Sequence, residues 1–182
     1  MILYINACVR KESRTKRLAE HLLLSKNEPC EEVTLHKTEF PVVDEDFLEM
    51  RDQLINNEDF DNPVFDLARQ FAEADEIVIA APFWDLSFPA ALKQYFEQIN
   101  VTGITFSYTP EGVPYGLCKA KRLTYITTVG GEFFPEEFGA GYVKALSQNF
   151  YGIPEFELIK ATGLDIVGAD VEEIIDSVKK TI

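Results

Sequence analysis

Three large aromatic side chains, Phe83, Trp84 and Phe88, fall within six residues, in a loop that leaves one apolar run and opens an apolar-periodic segment. Rings so concentrated suit the walls of a site for a flat, conjugated ligand, because a solvated turn favours Gly, Asn, Asp and Ser. The alternative use of such rings is to close a core. A second cluster, residues 8–17, sets Arg10, Lys11, Arg14, Lys16 and Arg17 against the single acid Glu12. Ser13 and Thr15 there suit a helix cap and, with the free N–H groups of a first turn, the binding of a phosphate that the helix dipole also favours. The plainer reading is a capped helix with a solvated basic rim. A third segment, Thr127-Thr128-Val129-Gly130-Gly131-Glu132-Phe133, has paired glycines. They let backbone N–H groups approach a heterocycle's carbonyl oxygens with no side chain between, although an ordinary turn uses such a pair too.

The elements that must position these residues follow from periodicity. Residues 2–7 and 76–81 are apolar runs that read as buried strands, and residues 32–36, 122–128 and 156–161 read as three more. Helical spacing predicts helices over about 13–25, 44–56, 63–74, 142–150 and 171–179, and one opened by Pro89, whose apolar positions are Leu92, Phe96 and Ile99. Residues 104–108 alternate as a short hairpin arm, and Gly112, Pro114 and Gly116 follow in a turn-rich stretch. The region 101–120 therefore reads as an excursion from the sheet.

Strands alternating with helices imply a parallel sheet covered on both faces, an α/β three-layer sandwich. Five strands fit the flavodoxin-like order 2-1-3-4-5, in which ligands lie beyond the carboxyl ends of the strands at the switch point. The loops after the first, third and fourth strands then share one mouth. Phosphate donors, aromatic walls and open backbone donors in one crevice are the chemistry that flavin mononucleotide (FMN) requires.

The segment Pro82-Phe83-Trp84-Asp85-Leu86-Ser87-Phe88-Pro89-Ala90-Ala91-Leu92-Lys93-Gln94-Tyr95-Phe96 resembles the FMN-dependent NADH-azoreductase and NAD(P)H:quinone oxidoreductase family. So do Gly103-Ile104-Thr105-Phe106-Ser107-Tyr108, Gly116-Leu117 and Thr127-Thr128-Val129-Gly130-Gly131. The likeness is strong over about 75–133, looser at the amino terminus and slight after 150. It implies hydride transfer from NAD(P)H to FMN and on to quinones or azo compounds, in a homodimer with its sites at the subunit interface. By the resemblance, Ser13, Arg14 and Thr15 hold the phosphate, with Cys8 and Arg10 beside the ribityl chain or phosphate. Pro82, Phe83, Trp84, Asp85 and Leu86 frame the ring, and Thr128, Val129, Gly130 and Gly131 meet its pyrimidine end. Tyr108 and Phe133 shape the substrate pocket, and the flavin carries the chemistry, so no catalytic side chain or metal is needed. Two positions depart from the family: Asp85 stands where an amide is common, and Val129 where a long polar side chain is.

Composition narrows the partners. A chain of 182 residues suits one domain, and its net charge of −14 opposes binding to nucleic acid or an anionic membrane. No apolar run approaches the roughly 20 residues of a membrane span, and residues 1–7 lack the basic leader of a signal peptide, so a cytoplasmic protein is expected. Cys8, Cys30 and Cys118 are odd in number and far apart, which supports neither a disulfide framework nor a zinc site. His21 and His36 stand alone, in structural or solvated roles.

Two other functions fit parts of the chain. Cys8 with Arg14-Thr15 after the first strand matches the nucleophile loop of low-molecular-weight tyrosine phosphatases, but Glu12 would repel the phosphate, the loop has no Gly, and the chain has no Asp-Pro for a general acid. A non-enzymatic flavodoxin-type electron carrier suits the acidic surface, yet residues 9–15 are not the Thr- and Gly-rich phosphate loop of such carriers.

Overall fold

The computed structural model describes residues 1–182. In chain order the strands are β1 (Ile2–Asn6), β2 (Cys30–Thr34), β3 (Glu76–Ala80), β4 (Phe106–Tyr108), β5 (Pro114–Gly116), β6 (Arg122–Thr128) and β7 (Glu155–Ala161). The helices are α1 (Arg14–Lys26), α2 (Glu45–Asn56), α3 (Asp66–Glu73), α4 (Ala90–Ile99), α5 (Ala140–Asn149) and α6 (Val171–Lys179). Strands β2-β1-β3-β6-β7 form one parallel sheet, the 2-1-3-4-5 order of a flavodoxin-like fold once the β4–β5 excursion is set aside.

Alternation along the central strands sends side chains to two cores. Leu3, Ile5, Ile77, Ile79, Leu123 and Tyr125 face α3, α4 and α5, whereas Ile2, Tyr4, Val78, Ala80 and Ile126 face α1 and α6. Every residue of β1 is buried, as a strand covered on both faces must be. No helix is long and apolar enough to cross a membrane.

Three elements of the sandwich have boundaries that differ by two residues or more from the sequence reading, and one is α5, which begins at Ala140 rather than 142. The second strand begins two residues earlier than its alternation suggested, and Leu35–Lys37 leave it as a 3-10 turn that tucks Leu35 into the core. Pro63–Phe65 likewise form a separate 3-10 turn before α3, rather than its first residues. Residues 104–108 do supply a hairpin arm: β4 and β5 pair antiparallel, Phe106 opposite Gly116. Gly116 there lies against the backbone of Tyr151 and Gly152, where a Cβ would come within about 2 Å of main-chain atoms. Only glycine allows that approach.

Candidate cofactor site

The carboxyl ends of β1, β3 and β6 meet around a cleft of about 320 Å³, within the usual size range of small-molecule sites. Its first wall is the loop after β1. Asn6 Oδ1 accepts from Cys8 N at 2.9 Å and turns the chain out of the strand. Ser13 then caps α1, its Oγ accepting from Lys16 N at 3.2 Å. From Val9 to Thr15 no backbone N–H donates to a protein acceptor. All of these residues but Lys11 line the cleft, where the open N–H groups, the positive end of α1, Arg10 and Arg14 make a donor set for a phosphate dianion that outweighs the one acid of the loop, Glu12.

The second wall comes from the loop after β3. Ala81 and Phe83 extend the sheet, donating to Ile126 O at 3.0 Å and to Thr128 O at 3.1 Å. Trp84 and Ser87 then exchange backbone hydrogen bonds of 3.1 and 2.7 Å across Asp85 and Leu86, whose φ values are +50° and +67°. Two successive left-handed residues make the tight hairpin turn that Asn and Gly ordinarily occupy, and a leucine there carries backbone strain. The aromatic cluster divides its roles. Phe88 packs in the core against Phe96 and Tyr142, so the core-closing alternative holds for that ring. Phe83 lines the cleft, held edge-on against Phe134 at 5.1 Å, and Trp84 lines it while remaining 37% exposed.

The third wall is the loop after β6. Thr128 Oγ1 lies 2.6 Å from Thr15 Oγ1, and the N–H groups of Gly130 and Gly131 donate to no protein acceptor. Open donors at the glycines and an aromatic wall opposite suit the heteroatom edge and faces of a flavin ring. With the phosphate cradle at the other end, the residues present fit FMN.

The cleft thus gathers Arg10, Ser13, Arg14, Thr15, Pro82, Phe83, Trp84, Thr128, Val129 and Gly130 from the sequence expectation. It does not gather six others. Asp85 and Leu86 stand exposed at the turn tip, and Gly131 instead accepts at its carbonyl from Gly163 N at 2.9 Å. Tyr108 lies on the β4–β5 hairpin against Phe106, and Phe133 is 73% exposed. Cys8 is buried with its Sγ toward Ala80 O at 3.7 Å, and burial pushes its thiol up to about 11. A nucleophilic cysteine needs the opposite shift, so the phosphatase alternative loses its thiolate.

Leu164 and Asp165, in the loop after β7, also line the cleft and were not anticipated. Leu164 N and Asp165 N donate to Val129 O and Gly130 O at 3.2 and 2.8 Å, which straps that loop beside the glycines. Asp165 Oδ1 accepts from Arg14 at 2.7 Å. The available signal was topological, since this loop too leaves the carboxyl end of a sheet strand.

Comparisons with known proteins agree with this geometry. A family model described as a flavodoxin-like fold matches residues 1–182. An FMN-dependent NADH:quinone oxidoreductase of Lachnoclostridium phytofermentans is 43% identical, over 94% of this chain and 90% of its own. One of the same name from Clostridium perfringens is 37% identical, over 96% and 92%. The crystal structure of an azoreductase from Bacillus anthracis superposes with a TM-score of 0.84 at 29% identity, covering 99% of this chain and 95% of that one. From its sheet order, its three-loop cleft and these full-length matches, the chain belongs to the flavodoxin-like family of FMN-dependent NADH:quinone oxidoreductases and azoreductases.

Proposed function

We propose that the protein is an FMN-dependent oxidoreductase that carries electrons from NAD(P)H to small planar acceptors, quinones or azo compounds. One observation carries the reading: unpartnered backbone N–H groups at 9–15, the rings of Phe83 and Trp84 and the open N–H of Gly130 line a single cleft. FMN, when bound there, supplies the hydride chemistry by which such enzymes connect a nicotinamide to an acceptor. The chain's own residues bind and orient. Ser13, Arg14, Thr15 and the N–H groups before them take the phosphate, and Arg10 adds charge beside it. Pro82, Phe83 and Trp84 confine the ring. The open N–H groups of Gly130 and Gly131 meet its polar rim, next to Thr128 and Val129, whose backbone carbonyls are held by Phe83 and Leu164.

The exposed apolar side chains support a second copy of the chain. Tyr108, Tyr115, Leu117, Phe133 and Phe138 are each at least 40% exposed, and Phe138 is tied to the aromatic loop by Ser87 Oγ donating to its carbonyl at 2.6 Å. In a homodimer these side chains are covered, Tyr108 and Phe133 border the acceptor's place, and Asp85 and Leu86 reach the ring's edge. Three cysteines, all free thiols, fit a reducing compartment such as the cytoplasm.

The test is direct. Purified protein supplemented with FMN acquires a perturbed flavin spectrum and, given NADH or NADPH and a quinone, consumes the nicotinamide absorbance at 340 nm, roughly in step with acceptor reduction as the hydride mechanism requires. Protein that takes up no FMN, or a yellow protein inert toward both nicotinamides, would overturn the reading, and the second outcome would restore the electron carrier.

A further inference from the structure

A second cleft of about 370 Å³ adjoins the first and shares Val9 and Arg10 with it. It opens at the carboxyl ends of β1 and β2 and is lined by Arg10, Lys11, Lys16, His36 and Lys37 in a chain whose net charge is −14. Arg10, Lys11 and Lys37 form no salt bridge, although acids outnumber bases 31 to 17 and carboxylates are plentiful. Cations left unpaired in an acidic protein, grouped in one concavity, are placed to meet an anion.

The same cleft contains one fixed carboxylate. Glu32 Oε1 accepts from Asn6 Nδ2 and from Thr34 Oγ1, both at 2.8 Å. Burial works to raise its carboxyl, but those two hydrogen bonds, aided by Lys16 and Lys37, outweigh it and hold the group below the usual range. A bare anion site has no use for an ionised carboxylate. In doubly wound sheets a carboxylate at the second strand accepts from a nucleotide's ribose hydroxyls, and here unpaired cations lie beside it to take phosphate.

We propose that this second cleft is a subsite for the sugar–phosphate part of an adenine nucleotide, with Lys11 and Lys37 on phosphate and Glu32 on the ribose diol. Two molecules carry that chemistry to the mouth of the cleft: the adenosine half of the nicotinamide donor, and the adenylate tail of FAD seated by its flavin end. The identity of the carrier rests on the redox reading above; the nucleotide subsite itself does not.

Adenosine 5′-monophosphate is titrated calorimetrically into FMN-saturated protein, and FMN affinity is measured separately by fluorescence quenching. Lys37 is exposed, so Lys37→Glu leaves the fold and FMN affinity unchanged and weakens the nucleotide by about tenfold or more, the effect of reversing one charge-assisted contact. Glu32→Gln weakens the nucleotide but not inorganic phosphate. Should Lys37→Glu raise KM for NADH but not for reduced nicotinamide mononucleotide, which lacks adenosine, the donor is the carrier. Should it instead lower FAD affinity and leave both KM values alone, FAD is. The proposal fails if the monophosphate does not bind, if inorganic phosphate binds as tightly, if Lys37→Glu leaves the monophosphate's affinity unchanged, or if, in protein shown to bind FMN, it alters neither KM for NADH nor FAD affinity. Absence of FMN binding would strike the redox reading and leave the calorimetric result standing.

Discussion

Thr15 Oγ1 and Thr128 Oγ1 lie 2.6 Å apart and join the first turn of α1 to the end of β6 across the floor of the cleft. Thr15 is 1% exposed, so removing its hydroxyl leaves that of Thr128 without its partner. Thr15→Val, which conserves shape, should cost about 1 kcal/mol of stability. It should also weaken FMN several-fold, because the phosphate loop and the glycine loop lose their direct tie. Thr15→Ser keeps the hydroxyl and should restore most of both. Urea denaturation of the FMN-free protein and flavin fluorescence titration measure the two effects, and equal stability of the Val and Ser variants would show that the bond contributes nothing.

Arg14 and Asp165 form a 2.7 Å ion pair at the same rim, with Asp165 69% exposed at its side chain. Exposed pairs of this kind add little to stability. The carboxylate matters more to the ligand, since it brings negative charge beside the cradle proposed for a phosphate dianion and engages one of its cations. Asp165→Asn should tighten FMN by about two- to tenfold at low salt, and the gain should shrink as ionic strength rises. Arg14→Ala should weaken FMN under the same conditions. Titrations at 20 and 300 mM salt, spanning Debye lengths of roughly 20 to 6 Å, test both; looser binding by Asp165→Asn would assign that side chain to holding the cofactor rather than competing with it.

Most of this arrangement could be read before the structure, and what could not has physical causes. The buried central strands announced themselves because both their faces are apolar, and the alternation of strands with helices implied a parallel sheet, with which the order 2-1-3-4-5 was consistent. The second strand sits at the sheet edge with only Val33 fully buried along it, so its alternation carried little signal and its start was misplaced by two residues. Leu35 looked like a strand residue because it is buried, yet it is buried by a 3-10 turn. Gly130 was read as a place for open N–H donors, which it is. Its second role depends on distant chain, because a Cβ there would come within 2.4 Å of Asp165 Oδ2. No local pattern links residues 130 and 165, and only the rule that loops gather at the carboxyl ends of a parallel sheet connects them.

Asp85 occupies the first of the two left-handed positions in the turn that follows Trp84. Asn tolerates that conformation as well as Asp, so Asp85→Asn changes charge without disturbing the turn. In the proposed homodimer the Asp85 carboxylate reaches the ring's edge, where it would disfavour the added negative charge of a reduced flavin. Removing it should raise the midpoint potential of the bound cofactor, by about 20 mV for a two-electron couple if about 1 kcal/mol of repulsion is relieved. Spectroelectrochemical titration of the two holoproteins measures the shift, and an unchanged or lower potential in the variant would place the Asp85 carboxylate too far from the ring to act.

The buried thiols and phenols make alkali the protein's weak direction. Burial pushes Cys8 up to about 11 and Cys118 up to about 12, and Tyr4, Tyr95, Tyr125 and Tyr151 are raised in the same sense by the same cause. In each case the fold favours the protonated form, so the unfolded chain releases its protons first. Stability from this source is whole below the unfolded thiol value of about 8.5 and falls as pH climbs toward 11 to 12, by an upper bound of about 3 kcal/mol for Cys8 alone. The urea midpoint should therefore drop steeply between pH 9 and 11, and Cys8→Ala should flatten part of that drop despite lower stability at neutral pH. Iodoacetamide at pH 8 should label exposed Cys30 readily and half-buried Cys118 more slowly in the native protein, and reach buried Cys8 only after unfolding. Rapid labelling of Cys8 in the native state would mark a depressed thiol and reopen the nucleophile reading; slow labelling, with a flat rate below pH 9, follows from a side chain buried beside the Ala80 carbonyl.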